Sequence, residues 1–342
     1  MLWLIYRAAV ITPLCQADPQ TIARAAEILS RGGLVALPTE TVYGLAADGL
    51  SAAAVAGIFA AKGRPADNPL ILHIAKLGDL GHIVVEPPAL AFKLAELFWP
   101  GPLTMVLRRQ PRVPTIVSAG LPTVAVRMPA HPVARAILEA CGRPLAAPSA
   151  NRSGRPSPTC AAHVAADLDG RIDLIVDGGS TEYGIESTVL DLSELGRGEE
   201  VPLLLRQGAL TREVLLAQIG ELREGAGAAA SRSPGLRHRH YAPRAPLEII
   251  APAELELRAR ALSSSGLRVG VIAGGRDSPG DAQIQGVSWL HLGGGLEGYA
   301  RALFAALRTL DELGVERMLA AEVPLVGIGR ALMDRLRRAA EG

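Results

Sequence analysis

Residues 37–73, LPTETVYGLAADGLSAAAVAGIFAAKGRPADNPLILH, constrain this chain more than any other stretch. An apolar strand at residues 34–37 leads into Pro38 and a polar turn that crowds Thr39, Glu40, Thr41 and Tyr43 together before Gly44. Ser51 then caps a helix over residues 52–61, to which Val55, Ile58 and Phe59 give an apolar face. Gly63 suits the left-handed conformation that ends a helix, and Pro65 forbids its continuation. Lys62 and Arg64 are therefore presented at a rigid helix end, ahead of a second strand at residues 70–74 that contains His73. Cations at helix C-termini ordinarily complement the dipole, and here they are expected to be surface groups of little weight in stability. That account gives no purpose to Thr39, Thr41, His73 or the turn Asp67-Asn68-Pro69. So many polar groups between two buried strands read as a site.

The rest of the composition narrows the chemistry. A length of 342 residues predicts two domains. Hydrophobic residues make up 49% and aromatic ones only 4%, so Ala, Leu, Val and Gly carry the packing, which suits α/β layers. With 35 Lys and Arg against 34 Asp and Glu, no global field draws a polyanion, and phosphate chemistry must rest on local groups. Cys15, Cys141 and Cys160 are far apart and form no CxxC pair, which argues against a disulfide framework or a cysteine zinc site. No run reaches the roughly 18 apolar residues that span a bilayer, and the first residues lack a basic leader region. A cytoplasmic protein without membrane contact is expected.

Along the chain, Asp18-Pro19 starts a helix that stops before Gly32-Gly33. A helix at residues 89–98 ends in Trp99-Pro100-Gly101-Pro102 and leads into a strand at 103–107. Further strands are predicted at 124–128, 145–147, 174–176, 188–192 and 203–205, with helices from His131-Pro132 to 141 and after Thr211. Strict strand–helix alternation is missing, so the expected fold is α/β with a twisted mixed sheet flanked by helices. Composition shifts at 224–233, where GAGAAASRS reads as a linker. A second, smaller Rossmann-like α/β unit follows, with strands at 247–250 and 269–272 and a helix at 299–313. Its GGGLEG matches a dinucleotide fingerprint at Gly293, Gly295 and Gly298, but such a match is cheap among 37 glycines, and no acidic residue sits convincingly at the end of the next strand. No dinucleotide is assigned. The domains are drawn at 15–222 and 246–342, with 223–245 between them.

Nucleotide chemistry needs cations or amides at the phosphates. There is no Walker A loop, so Lys62 and Arg64 lead. Arg127 and Arg206 end apolar strands, where an arginine is either a salt-bridged strand end, the commoner case, or an anion clamp. Ser149, Asn151, Ser153 and Ser157 sit on a Pro- and Gly-rich turn that either wraps an anion or is an ordinary polar loop. A lone strand histidine such as His73 is usually a satisfied core residue, but its place beside Thr41 favours a substrate hydrogen bond. His82, His131, His163 and His291 lack ligand spacing, and no acidic cluster suggests a protein-held metal.

Taken together, PTETVYGL, KGRP, NPLILH, FWPGPLT, VAVRMPAHP and PSANRSG resemble the YrdC-like threonylcarbamoyl-AMP synthases, and SPGLRHRHYAP with the C-terminal region resembles their two-domain form. The resemblance spans roughly the whole chain. It implies a nucleotidyltransferase that makes L-threonylcarbamoyladenylate and pyrophosphate from ATP, L-threonine and bicarbonate. The family's Lys-x-Arg and Ser-x-Asn elements, which shape the ATP site, fall on Lys62, Arg64, Ser149 and Asn151, with Lys62 and Arg64 offsetting charge on the reacting phosphate. By the same likeness Asn68, Thr123, Ser157, Arg206 and Tyr241 touch ATP, while Thr41, His73, Arg127 and Ser187 hold L-threonine, Arg127 opposite its carboxylate. Mg2+ would arrive with ATP, held mainly by phosphates and water. The product would feed a separate transferase that modifies an adenosine beside the anticodon of certain tRNAs; whether tRNA touches this chain stays open. One rival is an RNA-binding module without nucleotidyl transfer. Another is the carbamoyl-transfer enzyme of hydrogenase maturation, whose zinc-finger cysteines have no match here. The segment at 233–244, SPGLRHRHYAPR, is expected to fold over the ATP pocket and bring Tyr241 to the nucleotide.

Overall fold

The structure is a computed structural model of the chain and describes residues 11–225, 240–274 and 284–341. Its first part runs β1 (Leu14–Gln16), α1 (Pro19–Ser30), β2 (Val35–Leu37), β3 (Gly44–Asp48), α2 (Ala52–Lys62), β4 (Ile71–His73), α3 (Leu80–Ile83) and α4 (Ala89–Phe98). Then come β5 (Leu103–Arg108), β6 (Thr123–Arg127), α5 (Pro132–Cys141), β7 (Leu145–Ala146), α6 (Ala161–Leu168) and β8 (Leu174–Asp177). It closes with β9 (Thr188–Asp191), β10 (Leu203–Arg206), α7 (Arg212–Ile219) and β11 (Arg223–Glu224). These strands make an 11-stranded mixed sheet in the order β1-β8-β2-β3-β7-β4-β6-β5-β9-β10-β11.

Local rules explain the helix ends. The Asp18 carboxylate accepts from the Thr21 amide at 2.7 Å, and Pro19 takes the first turn, where no amide is needed. Side chains then alternate across the sheet. Ala36, Leu45 and Ala47 join the core against α2, while Val35, Leu37 and Ala46 pack on the opposite side with Ala25, Leu29 and Ile137 of α1 and α5. Burial on both faces explains why these strands read as continuous apolar runs. The sequence reading misses β3, because GLAAD has no β-branched residue and is strand only through its pairing with β2 and β7. It also misses β1, β11 and α6, which are short.

The second part is an all-parallel four-stranded sheet, β12 (Leu247–Ile250), β13 (Val269–Gly274), β14 (Val287–Leu292) and β15 (Arg317–Ala321), in the order β12-β15-β13-β14. Helix α8 (Leu255–Ser264) covers one face; α9 (Gly295–Glu312) and α10 (Gly329–Ala340) cover the other. Helix α9 begins four residues before the expected 299 because the glycines belong to its start. A Cβ on Gly298 would lie 1.8 Å from the Gly293 carbonyl oxygen, so the glycine pattern has a packing account. The α9–α10 layer also faces the first domain: Val42, Ile185 and Tyr241 share one apolar cluster with Phe304, Leu307 and Leu336. Among the described residues, no helix is long and apolar enough to cross a membrane.

Candidate active site

The register of the first sheet assembles the site. β4 pairs in parallel with β6 so that His73 stands beside Arg127, and the polar turn after β2 brings Thr39 and Thr41 over both. The cleft so formed opens to solvent and is lined by Thr41, His73, Arg127, Ser187, Arg64 and Arg206, among others.

Arg127 organises one wall. Its Nη1 donates to Thr41 Oγ1 at 2.9 Å, its Nη2 to Glu40 Oε1 at 2.5 Å and its Nε to the Gly101 carbonyl at 3.1 Å. Burial would raise the Glu40 pKa, but the Arg127 charge and hydrogen bond hold it below the ordinary carboxylate value. Burial first, and then the Arg127 charge, push His73 down to about 3, so its imidazole is neutral at physiological pH. Two buried atoms of this wall, His73 Nδ1 and Glu40 Oε2, have no hydrogen-bond partner among the described residues. Buried polar atoms are rarely left so, and a ligand donor or acceptor would satisfy them.

The other side corrects an expectation. Lys62 and Arg64 are not surface cations: they are 3% and 9% exposed. Gly63 does end α2 in the left-handed conformation, with φ 60°, but the loop after β7, 87 residues further on, closes over the helix end. Lys62 Nζ donates to the carbonyls of Ser149 and Asn151, and the Ser153 amide donates back to the Lys62 carbonyl at 2.9 Å. Ser149 Oγ donates to Asn151 Oδ1 at 2.6 Å, so the lysine and the Ser-x-Asn loop form one unit. Burial, then the neighbouring Arg64 charge, push the Lys62 pKa well down, against the two carbonyls that favour its ammonium; an arriving polyanion would restore the charge. Burial lowers Arg64 to about 10, still a cation at neutral pH. Its Nη2 donates to the Pro69 carbonyl at 2.9 Å and its Nε to that of Asn68 at 3.3 Å.

Arg206, at the end of β10, reaches Ser187 with Nε and Nη2 on its carbonyl and Nη2 on its hydroxyl, at 2.9–3.1 Å. Ser187 Oγ in turn lies 2.8 Å from Thr104 Oγ1. Beside it, Glu186 Oε1 accepts from Ser157 Oγ at 2.6 Å.

Of the residues expected at ATP, Arg64, Ser149, Arg206 and Tyr241 line the cleft, as do all four expected at threonine: Thr41, His73, Arg127 and Ser187. Lys62, Asn68, Asn151 and Ser157 stand behind the wall, each bonded to a lining residue or its loop. Thr123 opens β6 opposite Arg108 and is not among the lining residues. The sequence reading gives no role to Thr39, Glu40, Glu186 or His240. His240 and Glu40 sit inside quoted motifs and were within reach; Glu186 carried no signal beyond its neighbour Ser187. Residues 226–239, most of the segment expected to cover the pocket, lie outside the described residues. From its end, His240 and Tyr241 line the cleft, and His240 Nε2 lies 3.3 Å from Asn68 Nδ2.

The family model described as "Telomere recombination", for Sua5, YciO and YrdC, matches residues 27–208, and the threonylcarbamoyl-AMP synthase C-terminal domain matches 209–341. The chain belongs to the threonylcarbamoyl-AMP synthase family. The threonylcarbamoyl-AMP synthase of Pyrococcus abyssi is 46% identical over 326 residues, 92% of each chain. That of Bacillus subtilis is 44% identical over 340 residues, 97% of this chain and 96% of its own. The crystal structure of P. abyssi Sua5 complexed with L-threonine superposes with a TM-score of 0.88 at 44% identity, covering 97% of this chain and 98% of that one. Such likeness over the full length accounts for the mixed sheet and for the second domain together.

Proposed function

We propose that the cleft performs the synthase reaction, ATP + L-threonine + bicarbonate → L-threonylcarbamoyl-AMP + pyrophosphate + water. The observation that carries this reading is the division of the cleft into two walls of different chemistry. Thr41, neutral His73 and Arg127 suit a small zwitterion, whereas Arg64 and Arg206, with Lys62 behind, suit a polyphosphate. L-threonine in the P. abyssi Sua5 crystal structure supports threonine as a ligand of this family. Arg127 uses three of the five N–H groups that a guanidinium carries. One remains on each Nη, enough for a two-point contact with the threonine carboxylate.

Bicarbonate gives up hydroxide to yield carbon dioxide, the threonine amine adds to it and its released proton joins that hydroxide as water, and an oxygen of the resulting carbamate attacks the α-phosphorus as pyrophosphate leaves. Charge on the phosphate oxygens is offset by Arg64 and Lys62, and in-line placement away from water supplies much of the rate. No covalent adduct with the chain is needed. Mg2+ enters this reading as a companion of the triphosphate, held mainly by phosphates and water, and no step is routed through it. The product is a reactive mixed anhydride suited to a separate tRNA-modifying transferase. The test is pyrophosphate release by the full chain with each substrate omitted in turn. Release that needs all three supports the reading; release without threonine defeats it.

A further inference from the structure

We propose that Arg335, on α10 of the second domain, is a positioning residue that holds the Glu186–Ser187 wall of the cleft. Its side chain is fully buried, at 0% exposure. Nε donates to Glu186 Oε2 at 3.0 Å, and Nη1 donates to the Gln207 carbonyl at 2.7 Å and to Asp334 Oδ2 at 2.9 Å. Nη2 has no hydrogen-bond partner among the described residues, and the guanidinium carbon lies 5.7 Å from the Tyr241 ring centroid, close enough for the ring to attract a cation. One side chain thus grips Glu186, next to Ser187, and Gln207, next to Arg206. These are the two residues whose mutual hydrogen bonds join the threonine and ATP sides. Through Glu186 it also fixes Ser157.

Tyr241 shows what such a grip does. Its φ is +64°, a left-handed conformation that strains a bulky residue and persists only where the surroundings hold it. Phe304 of α9 stacks on its ring at 5.1 Å and Arg335 stands beside it. Burying an ion pair is itself a poor source of stability, because apolar residues of the same size often do as well. The Arg335–Glu186 pair therefore has its use in fixing one arrangement of the wall.

This inference rests on the proposed reaction, so the experiment separates the two. In the full chain, Arg335→Met should raise the KM for ATP at least tenfold and lower kcat/KM about 100-fold. Arg335→Lys, which keeps charge without the fork, should recover only part. Because Arg335 acts through Glu186, the double variant with Glu186→Gln should lose no more than about twofold beyond Arg335→Met alone. Arg308→Met is the structural control. It breaks another buried pair at the domain contact, Arg308–Asp167 at 2.7 Å, and should lower the Tm while leaving both KM values within twofold. Unchanged KM values in a folded Arg335→Met, additive losses in the double variant, or an equal KM shift in Arg308→Met would each overturn the proposal. If Arg335→Met does not fold, Arg335→Lys decides by the same KM criterion. If the wild type releases no pyrophosphate, the reaction reading has failed. Binding of a non-hydrolysable ATP analogue then tests the wall by itself: at least tenfold weaker binding in Arg335→Lys supports it, and equal binding overturns it.

Discussion

The two walls of the cleft are built in different ways. The wall of Thr39, Thr41, His73 and Arg127 is closed within the first sheet: its hydrogen bonds run between β6, the turn after β2 and the Gly101 carbonyl before β5. The wall of Glu186, Ser187, Arg206 and Tyr241 is closed by another domain, whose Arg335 and Phe304 supply the buried partners. The first wall is a product of strand register; the second has its own bonds between Arg206 and Ser187 and is backed in addition by α9 and α10. A mutation in the first should act on one ligand, and a mutation at the second should reach both.

The largest effect is expected at the phosphate cations. Arg64→Ala should cost roughly 100-fold or more in turnover, as loss of one charge-stabilising donor commonly does. Lys62→Ala should do the same and also destabilise the fold by about 1–3 kcal/mol, because the carbonyls of Ser149 and Asn151 lose their buried donor. Pyrophosphate release with thermal melts checks both; a Lys62→Ala chain with wild-type Tm would contradict the burial argument.

A pH titration probes both walls at once. His73 and His240 are each pushed by burial to about 3, against an ordinary 6.5. Between those values the unfolded chain binds protons that the folded chain does not, so stability falls as pH drops from about 6.5. Each histidine should remove on the order of 2 kcal/mol between pH 7 and pH 5. His73→Gln and His240→Gln should each flatten the stability–pH curve by a comparable amount, measured by denaturant unfolding. A slope unchanged in both variants would mean that neither imidazole is held neutral.

Smaller effects sharpen the contrast. Arg127→Lys should raise the KM for threonine about tenfold and that for ATP much less, since an ammonium cannot offer a two-point fork to a carboxylate. Equal losses for both ligands would break the separation of the walls. Arg301→Ala removes only an exposed contact of α9, Nε to the Glu182 carbonyl at 2.8 Å, and should cost under about 1 kcal/mol with both KM values unchanged. A large KM shift there would show that the second wall depends on every domain contact rather than on Arg335.

Much of the first wall was legible. Thr41 and His73 stand out because polar groups between buried strands need a reason, whereas Arg127 by itself reads as a salt-bridged strand end and was placed at the site by the family resemblance. Helix ends such as Asp18-Pro19, Ser51 and Gly63 were equally plain, because capping is decided within four residues. Glu186 and Arg335 were not legible: 149 residues separate them, and an acid before a strand or an arginine on an amphipathic helix is ordinary by itself. The burial of Lys62 escaped notice for the same reason, since its cover arrives from the loop after β7.

The sequence by itself determined the α/β class and, through its motifs, the family, because periodicity, caps and motif spacing are local properties. Only the tertiary structure decided which cations are buried, which carboxylate pairs with which guanidinium, and that the second domain packs behind Glu186 and Tyr241. Those outcomes depend on desolvation and on partners brought from distant parts of the chain, and neither is encoded at the position where its effect is felt.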